Sequence, residues 1–266
     1  MSAADLELAV ALAHEAGEIL LRHWQTRDAL SVTQKRAGDF MSEADLNAEQ
    51  HLRARLRAAR PDDAWLGEET GTDAGAEALS GGQRPRRWIV DPLDGTTNFL
   101  RGIPHWAVSI ALEEAGQLSV GVIHDPVRQE TFAARTGGAA TLNGRLIAPA
   151  PTQTLEPALF GTGIPFGTMA HIDDHAADIA RLMPQCAGVR RMGAAALDLA
   201  FVAAGRLDGF WERRLQPWDI AAGLVILRQA GAQVEGWHSG ERPEETGTVI
   251  TAPPALFDAF ARVIRG

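Results

Sequence analysis

Two aspartates three positions apart, Asp91 and Asp94, close the apolar run Trp88-Ile89-Val90 and lead into Gly95-Thr96-Thr97-Asn98. Pro92 lies between them and is expected to stop the strand ladder, while Gly95 permits close backbone approach. If Gly95, Thr96 and Thr97 begin a helix, their free N–H groups form an anion site beside two carboxylates. Two aspartates next to a bound phosphate would repel it unless a cation lay between them. Hard oxygen donors around phosphate favour Mg²⁺ over zinc, so the cluster predicts a metal. A lone Asp-Pro would more simply cap a turn, but the Gly-Thr-Thr-Asn that follows favours the chemical reading.

Other acids have plainer readings when taken singly. Asp219 in Trp218-Asp219-Ile220-Ala221-Ala222-Gly223 reads as a helix N-cap. Glu68 and Glu69, after Ala64-Trp65-Leu66-Gly67, read as an acidic turn, and Asp45 and Glu49 share a helix face in capping and solvated roles. Glu212 could pair at the surface with Arg213 or Arg214. Rival phosphatase chemistries fail on spacing. A haloacid-dehalogenase nucleophile needs Asp-x-Asp, whereas two residues separate Asp91 from Asp94. A cysteine phosphatase needs arginine six positions after its nucleophile, and after Cys186 that position is Met192. His171 and His175 lie four apart without the glutamate of a zincin, and read as an exposed polar helix start. His105 reads as structural.

The elements that must position these residues follow from periodicity. Leu6, Ala9, Val10, Ala13, Ile19 and Leu20 predict an amphipathic helix over residues 4–24. Ser42, with Asp45 three residues on, predicts a capping box and a helix to about Ala59, ended by Pro61. Short apolar runs at residues 88–90, 107–112, 118–123 and 130–134 predict a largely antiparallel sheet, with a tight hairpin at Asn143-Gly144. Pro149, Pro151 and Pro157 mark a seam, dividing an N-terminal α+β half (1–150) from a C-terminal α/β half (151–266). Helices are expected around residues 171–183, 194–204 and 219–230, the last closed by Gly231.

Composition narrows the function further. The 266 residues are 45% hydrophobic and 22% charged, ordinary for a chain that folds throughout. A net charge of −9 argues against nucleic acid or an anionic membrane as a partner, so a phosphorylated substrate must be received locally. The short basic groups at Arg84, Arg86 and Arg87, at Arg190 and Arg191, and at Arg213 and Arg214 read as solvated faces. A single cysteine, no secretory start and no apolar stretch long enough to span a bilayer fit a cytoplasmic setting. Lys35 is the only lysine, so no GxxxxGK[ST] loop exists.

Together the segments DPLDGTTNF and WDIAAG, with GEE upstream, resemble the two signatures of the inositol monophosphatases, lithium-sensitive Mg²⁺-dependent phosphatases. GTGIPFG and AAALDLAFVAAGRLDGFWE are similar to bacterial inositol-1-monophosphatases, and the resemblance runs from the first helix to about Val263. It implies a layered αβαβα sandwich, a homodimer, and two to three Mg²⁺ ions per site. One ion would be held by Glu68, Asp91 and the Leu93 carbonyl, a second by Asp91, Asp94 and Asp219, and a weaker third near Glu68 and Asp45. Glu68 and Thr96 would orient the attacking water, and the amides of Gly95 and Thr96 would hold phosphate oxygens. Asp94, Gly193, Ala195, Glu212 and Asp219 would contact the polyol. Ala194 stands where animal members carry a hydroxyl residue, and Gln216 where they carry histidine. Enzymes accelerate phosphate-monoester hydrolysis by up to roughly 10²¹-fold, whereas acid–base help supplies about 10²- to 10⁴-fold, so metal ions carry much of the difference. Within the resemblance, inositol 1-phosphate leads, with histidinol phosphate, fructose-1,6-bisphosphate and 3′-phosphoadenosine phosphate as alternatives. From another class, the chain could keep the fold as a scaffold for a macromolecular partner.

Overall fold

Ala9, Leu12, Ala13, Ala16 and Leu20 recur at three- and four-residue intervals and all lie buried along α1 (Ala3–Gln25). The computed structural model describes residues 3–36, 39–73, 86–164 and 172–266, which leaves His171, Arg84 and the end of GTGIPFG outside the described residues. A short antiparallel pair, β1 (Val32–Arg36) and β2 (Asp39–Ser42), feeds α2 (Glu43–Ala59). The predicted capping box is present: Ser42 Oγ accepts from the Ala44 amide, and the Asp45 carboxylate accepts from the Ser42 amide at 2.8 Å.

The chain then builds a sheet from β3 (Ala64–Gly67), β4 (Gly71–Thr72) and β5 (Arg87–Asp94), turns through the short helix α3 (Thr96–Leu100), and continues with β6 (Ala107–Glu114), β7 (Gln117–Asp125), β8 (Glu130–Arg135), β9 (Thr141–Leu142) and β10 (Arg145–Leu146). Among the described residues these eight strands lie in the order β10-β9-β8-β7-β6-β5-β3-β4, antiparallel except for the parallel pair β3 and β5. Asn143 and Gly144 take positive φ, 49° and 77°, as the two-residue hairpin between β9 and β10 requires.

Beyond the prolines come β11 (Leu159–Thr162), α4 (Ile172–Leu182), β12 (Gly188–Arg190), α5 (Ala195–Ala203), β13 (Gly209–Glu212), α6 (Pro217–Ala230), β14 (Gln233–Glu235), α7 (Pro243–Thr246), β15 (Val249–Ala252) and α8 (Pro254–Arg265). The strands form a second sheet, β12-β11-β13-β15-β14, with β11 parallel to both its neighbours.

Strand alternation assigns the layers. On β5 and β6, Trp88, Val90, Val108, Ile110 and Leu112 pack against α1 and α2, whereas Ile89, Ala107 and Ala111 pack with α5 and α6. On the second sheet Phe210 and Val249 join that same middle core, and Trp211 and Ile250 face α8. The result is helix, sheet, helix, sheet, helix: the expected αβαβα sandwich. No helix of the described residues is long and apolar enough to cross a membrane.

Three sequence expectations are corrected here. Arg86 is not on a solvated face: it joins Asp5, Asp63 and Glu114. Arg213 is likewise engaged, paired with the buried Asp178 and lying 3.5 Å from the centroid of the Trp237 ring. His175 is buried and stacks on Trp211 at 5.8 Å rather than opening an exposed helix start, because it faces inward from α4.

Helix α6 sits directly on β7, where a β-carbon added to Gly121 would collide with the Ala222 carbonyl. Gly121→Ala should therefore lower stability by about 1–3 kcal/mol, the usual range for overpacking a tight contact. Urea unfolding measures this; an unchanged midpoint would contradict the close approach of helix and sheet.

Candidate active site

The turn after β5 is where the acids gather, and Pro92 shapes it. The β5–β6 register pairs Asp91 with Ser109 and Asp94 with Ala107, so three residues advance on one strand against two on the other. Pro92 has no N–H to offer, and the ladder bulges at this point rather than stopping there as the sequence suggested. The Asp91 carboxylate accepts from the Leu93 amide at 2.9 Å, which tightens the bulge. Gly95 then caps α3 with φ 95°, and a β-carbon there would press on the His105 carbonyl, Trp106 and Ala194. Glycine is required at 95 on both grounds.

Other elements bring the remaining acids to this turn. Glu68 follows β3, and its amide donates to the Val90 carbonyl of β5. Glu49 is not solvated as its helix position suggested: it is fully buried and accepts from the amides of Glu69 and Thr70, both at 2.8 Å. It thereby fixes the turn that carries Glu68. Gly67 leaves room for it, since a β-carbon at 67 would collide with the Glu49 carboxylate.

Asp219 is not the N-cap of its helix. Gln216 is the cap, Pro217 takes the first helical position, and Asp219 stands at the third, where its carboxylate accepts from the Gln216 amide at 2.7 Å. The Ser109 hydroxyl donates to the Trp218 carbonyl at 3.2 Å, pinning this helix start beside the β6 residue that faces Asp91.

A pattern runs through the cluster: each of four aspartates spends one carboxylate oxygen on a backbone amide. Asp45 takes Ser42, Asp91 takes Leu93, Asp94 takes Ala196 and Asp219 takes Gln216. Thr96 adds a link, its hydroxyl lying 3.0 Å from Asp45 and 3.1 Å from the Leu93 carbonyl, and its single hydrogen serves one of them at a time.

Glu68, Asp91, Leu93, Asp94, Gly95, Thr96, Gly193, Ala195, Glu212 and Asp219 all line one cavity of about 270 Å³. Asp45 reaches it through Thr96. Glu212 is buried and not in a surface ion pair: it ends β13 against Gly163, where a side chain would displace its carboxylate. Cys186 lies outside the residues that line the cavity, and burial pushes its thiol up, the opposite of an activated nucleophile. Desolvation lowers His105 to about 4, so it is neutral at pH 7.

The electrostatics are those of a site short of positive charge. Burial, followed by the negative charges of Glu68, Asp94 and Asp219, holds Asp91 well above the usual carboxylate range. Burial pushes Asp94 from the usual 3.8 up to about 7 against the pull of the Ala196 amide. Asp45 is raised by burial as well, and Glu212 and Asp198 are raised well above their usual values by burial first and by neighbouring carboxylates second.

Asp198 is the residue that the sequence reading passed over. It lines the cavity from α5 and is almost fully buried, with Oδ1 unpartnered among the described residues. The available signal was one charged residue in the otherwise apolar run from Ala194 to Ala204.

The donor set fits a hard divalent cation, since oxygen ligands that repel one another in a dry pocket are stabilised by positive charge. Among the described residues no three such side chains are already drawn into a closed cage; they line an open pocket instead.

Glu49→Gln keeps the volume but turns an NH₂ toward one of two backbone donors. It should cost about 1–3 kcal/mol of stability, the penalty for an unsatisfied buried donor, and weaken the binding of a divalent cation to the cavity. If urea unfolding and calorimetric cation binding both match the wild type, Glu49 does not hold the Glu68 turn.

Comparison with known proteins agrees with this geometry. The pattern defining the inositol monophosphatase family matches residues 3–265. The chain is 43% identical over 262 residues to the Nus factor SuhB of Pseudomonas aeruginosa, covering 98% of this chain and 95% of that protein. It is 41% identical over 260 residues to the inositol-1-monophosphatase of Rhizobium meliloti, covering 98% and 96%. The crystal structure of the extragenic suppressor protein SuhB from Bartonella henselae superposes with a TM-score of 0.93 at 38% identity, covering 99% of both chains.

Proposed function

The chain belongs to the inositol monophosphatase family, and from that premise we propose that it hydrolyses a small phosphate monoester in a Mg²⁺-dependent reaction, with inositol 1-phosphate as the leading substrate. The observation that carries the reading is the convergence of Glu68, Asp91, Asp94 and Asp219 on one cavity beside Gly95 and Thr96. Glu68, Asp91, Asp94, Asp219 and the Leu93 carbonyl would hold the cations, two to three per site. When bound, these supply positive charge that neutralises the phosphate and lowers the pKa of water.

The chain's own residues do the rest. Glu68 accepts a proton from the attacking water, and Thr96 orients that water while Asp45 holds its hydroxyl. With the Thr96 hydrogen on Asp45, the Leu93 carbonyl keeps its lone pairs for a cation. The amides of Gly95 and Thr96 donate to the phosphate oxygens. On the leaving-group side, Asp94, Gly193, Ala195, Glu212 and Asp219 meet the polyol, and Glu212 accepts its hydroxyl hydrogens. Cytoplasmic location, a homodimer and lithium competing at a magnesium site belong to the same reading. Histidinol phosphate, fructose-1,6-bisphosphate and 3′-phosphoadenosine phosphate are the alternative substrates.

A second reading is favoured by one observation: identity to the relative named Nus factor is 43%, and to the one named inositol-1-monophosphatase 41%. Overall similarity therefore does not separate catalysis from a role with a macromolecular partner.

The test is phosphate release from the four esters by metal-stripped protein, with and without Mg²⁺. Strong Mg²⁺-dependent release from inositol 1-phosphate is expected, with Asp91→Asn reducing it by at least about 10³-fold at unchanged fold, since a lost electrostatic contact of this kind costs 10²–10³ or more. No release from any ester, together with a stoichiometric co-purifying partner, would favour the scaffold reading; wild-type activity in Asp91→Asn would overturn the metal assignment.

A further inference from the structure

Six acids line the cavity, and Asp198 is the one to which the chemistry above gives no task. The fold gives it none either. Asp45, Asp91, Asp94 and Asp219 each accept from a backbone amide, whereas Asp198 Oδ1 has no partner among the described residues although the residue is only 1% exposed.

Its surroundings explain why nothing reaches it. A β-carbon added to Gly161 of β11 would meet Leu207 at 2.8 Å, Phe210 at 3.4 Å and the Asp198 carboxyl carbon at 3.6 Å, so apolar side chains share this space with the acid. Ala194 lies one helical turn earlier, where its carbonyl accepts from the Asp198 amide at 3.1 Å, and it has no hydroxyl to offer. A buried carboxyl group without a donor costs the fold stability. A residue held at that cost is expected where a ligand completes its bonding.

The helix sets it on the leaving-group side. Ala195 and Asp198 are three apart on α5 and share a face, and both line the cavity together with Gly193. From the second sheet comes Glu212, also buried, whose negative charge acts on Asp198. Two carboxyl groups from separate elements thus meet the part of the cavity that would receive the polyol. A hydroxyl group brings the donor hydrogen that such oxygens lack.

We propose that Asp198 is a specificity-determining residue: with Glu212 it receives neighbouring hydroxyl groups of the leaving group, so that the enzyme selects polyhydroxylated leaving groups over those that bring no donor. The proposal rests on the phosphatase reading of the cavity.

The experiment uses Asp198→Leu, an apolar side chain of similar shape, and Asp198→Asn, which keeps one acceptor and one donor edge. Inositol 1-phosphate is compared with phenyl phosphate, whose leaving group has no further hydroxyl. In Asp198→Leu the ratio of their kcat/KM values should fall by at least about tenfold, mostly through KM of inositol 1-phosphate, and Asp198→Asn should recover most of it. The urea midpoint of Asp198→Leu should equal or exceed that of the wild type, because an unpartnered buried polar group has been removed. A ratio within about twofold of wild type overturns the proposal, as does a lowered midpoint with both esters slowed equally, the mark of a purely structural role. If neither ester is hydrolysed by any of the proteins, the phosphatase reading fails separately, and calorimetric binding of inositol 1-phosphate in the presence of Mg²⁺ decides the role of Asp198. Binding to the wild type about tenfold or more tighter than to Asp198→Leu supports it; equal affinity, or binding by neither, overturns it.

Discussion

Buried carboxylates that repel one another around Asp91 set the terms for the rest of this structure. Removing such groups from water favours their neutral form, and each neighbouring charge adds to the effect, which is why Asp91 lies well above its usual range and Asp94 near 7. The consequence for stability has a definite sign. Asp94 ionises near 3.8 when unfolded and near 7 when folded, so between those values the folded state holds a proton that the unfolded state has lost. Stability of the metal-free protein therefore falls as pH rises across that window, by about 1.4 kcal/mol per pH unit from this group, and levels off above pH 7. A divalent cation reverses the trend by favouring the charged form.

The layers distribute this burden among elements that cannot easily move. One acid comes from the start of α2, one from the turn after β3, two from the bulge of β5 and one from the first turn of α6, and backbone amides anchor four of them. Because α6 is sandwiched between the two sheets and touches Gly121 directly, the residue that it contributes is fixed relative to Asp91 by the middle core. The anchoring bonds lower the cost of bringing like charges together, and Asp91, Asp94 and Asp219 line a common cavity.

Much of this was legible in the sequence because it is local. The helix from residue 4, the capping box at Ser42 and Asp45, the Asn143-Gly144 hairpin and the acidic turn at Asp91 depend on neighbours a few positions apart. What escaped depends on distant packing. Glu49 looks solvated on a helix wheel, but its partners are the amides of Glu69 and Thr70. His175 and Glu212 look like surface residues until Trp211 and Gly163 are seen against them. Asp219 was misread by three positions because Gln216 is an uncommon cap, and Pro92 bends the ladder where it was expected to end it.

The central claim is that this cluster is poised against its own charge until a cation arrives. Its most direct test is calorimetric titration of Mg²⁺ into metal-stripped protein between pH 5.5 and 8, in buffers of differing ionisation enthalpy, alongside thermal unfolding. The account requires proton release on binding below about pH 7, declining at higher pH as the acids ionise unaided, together with a thermal stabilisation by Mg²⁺ that grows as pH rises. Binding without proton release at pH 6, or no stabilisation by Mg²⁺ at pH 8, would contradict it.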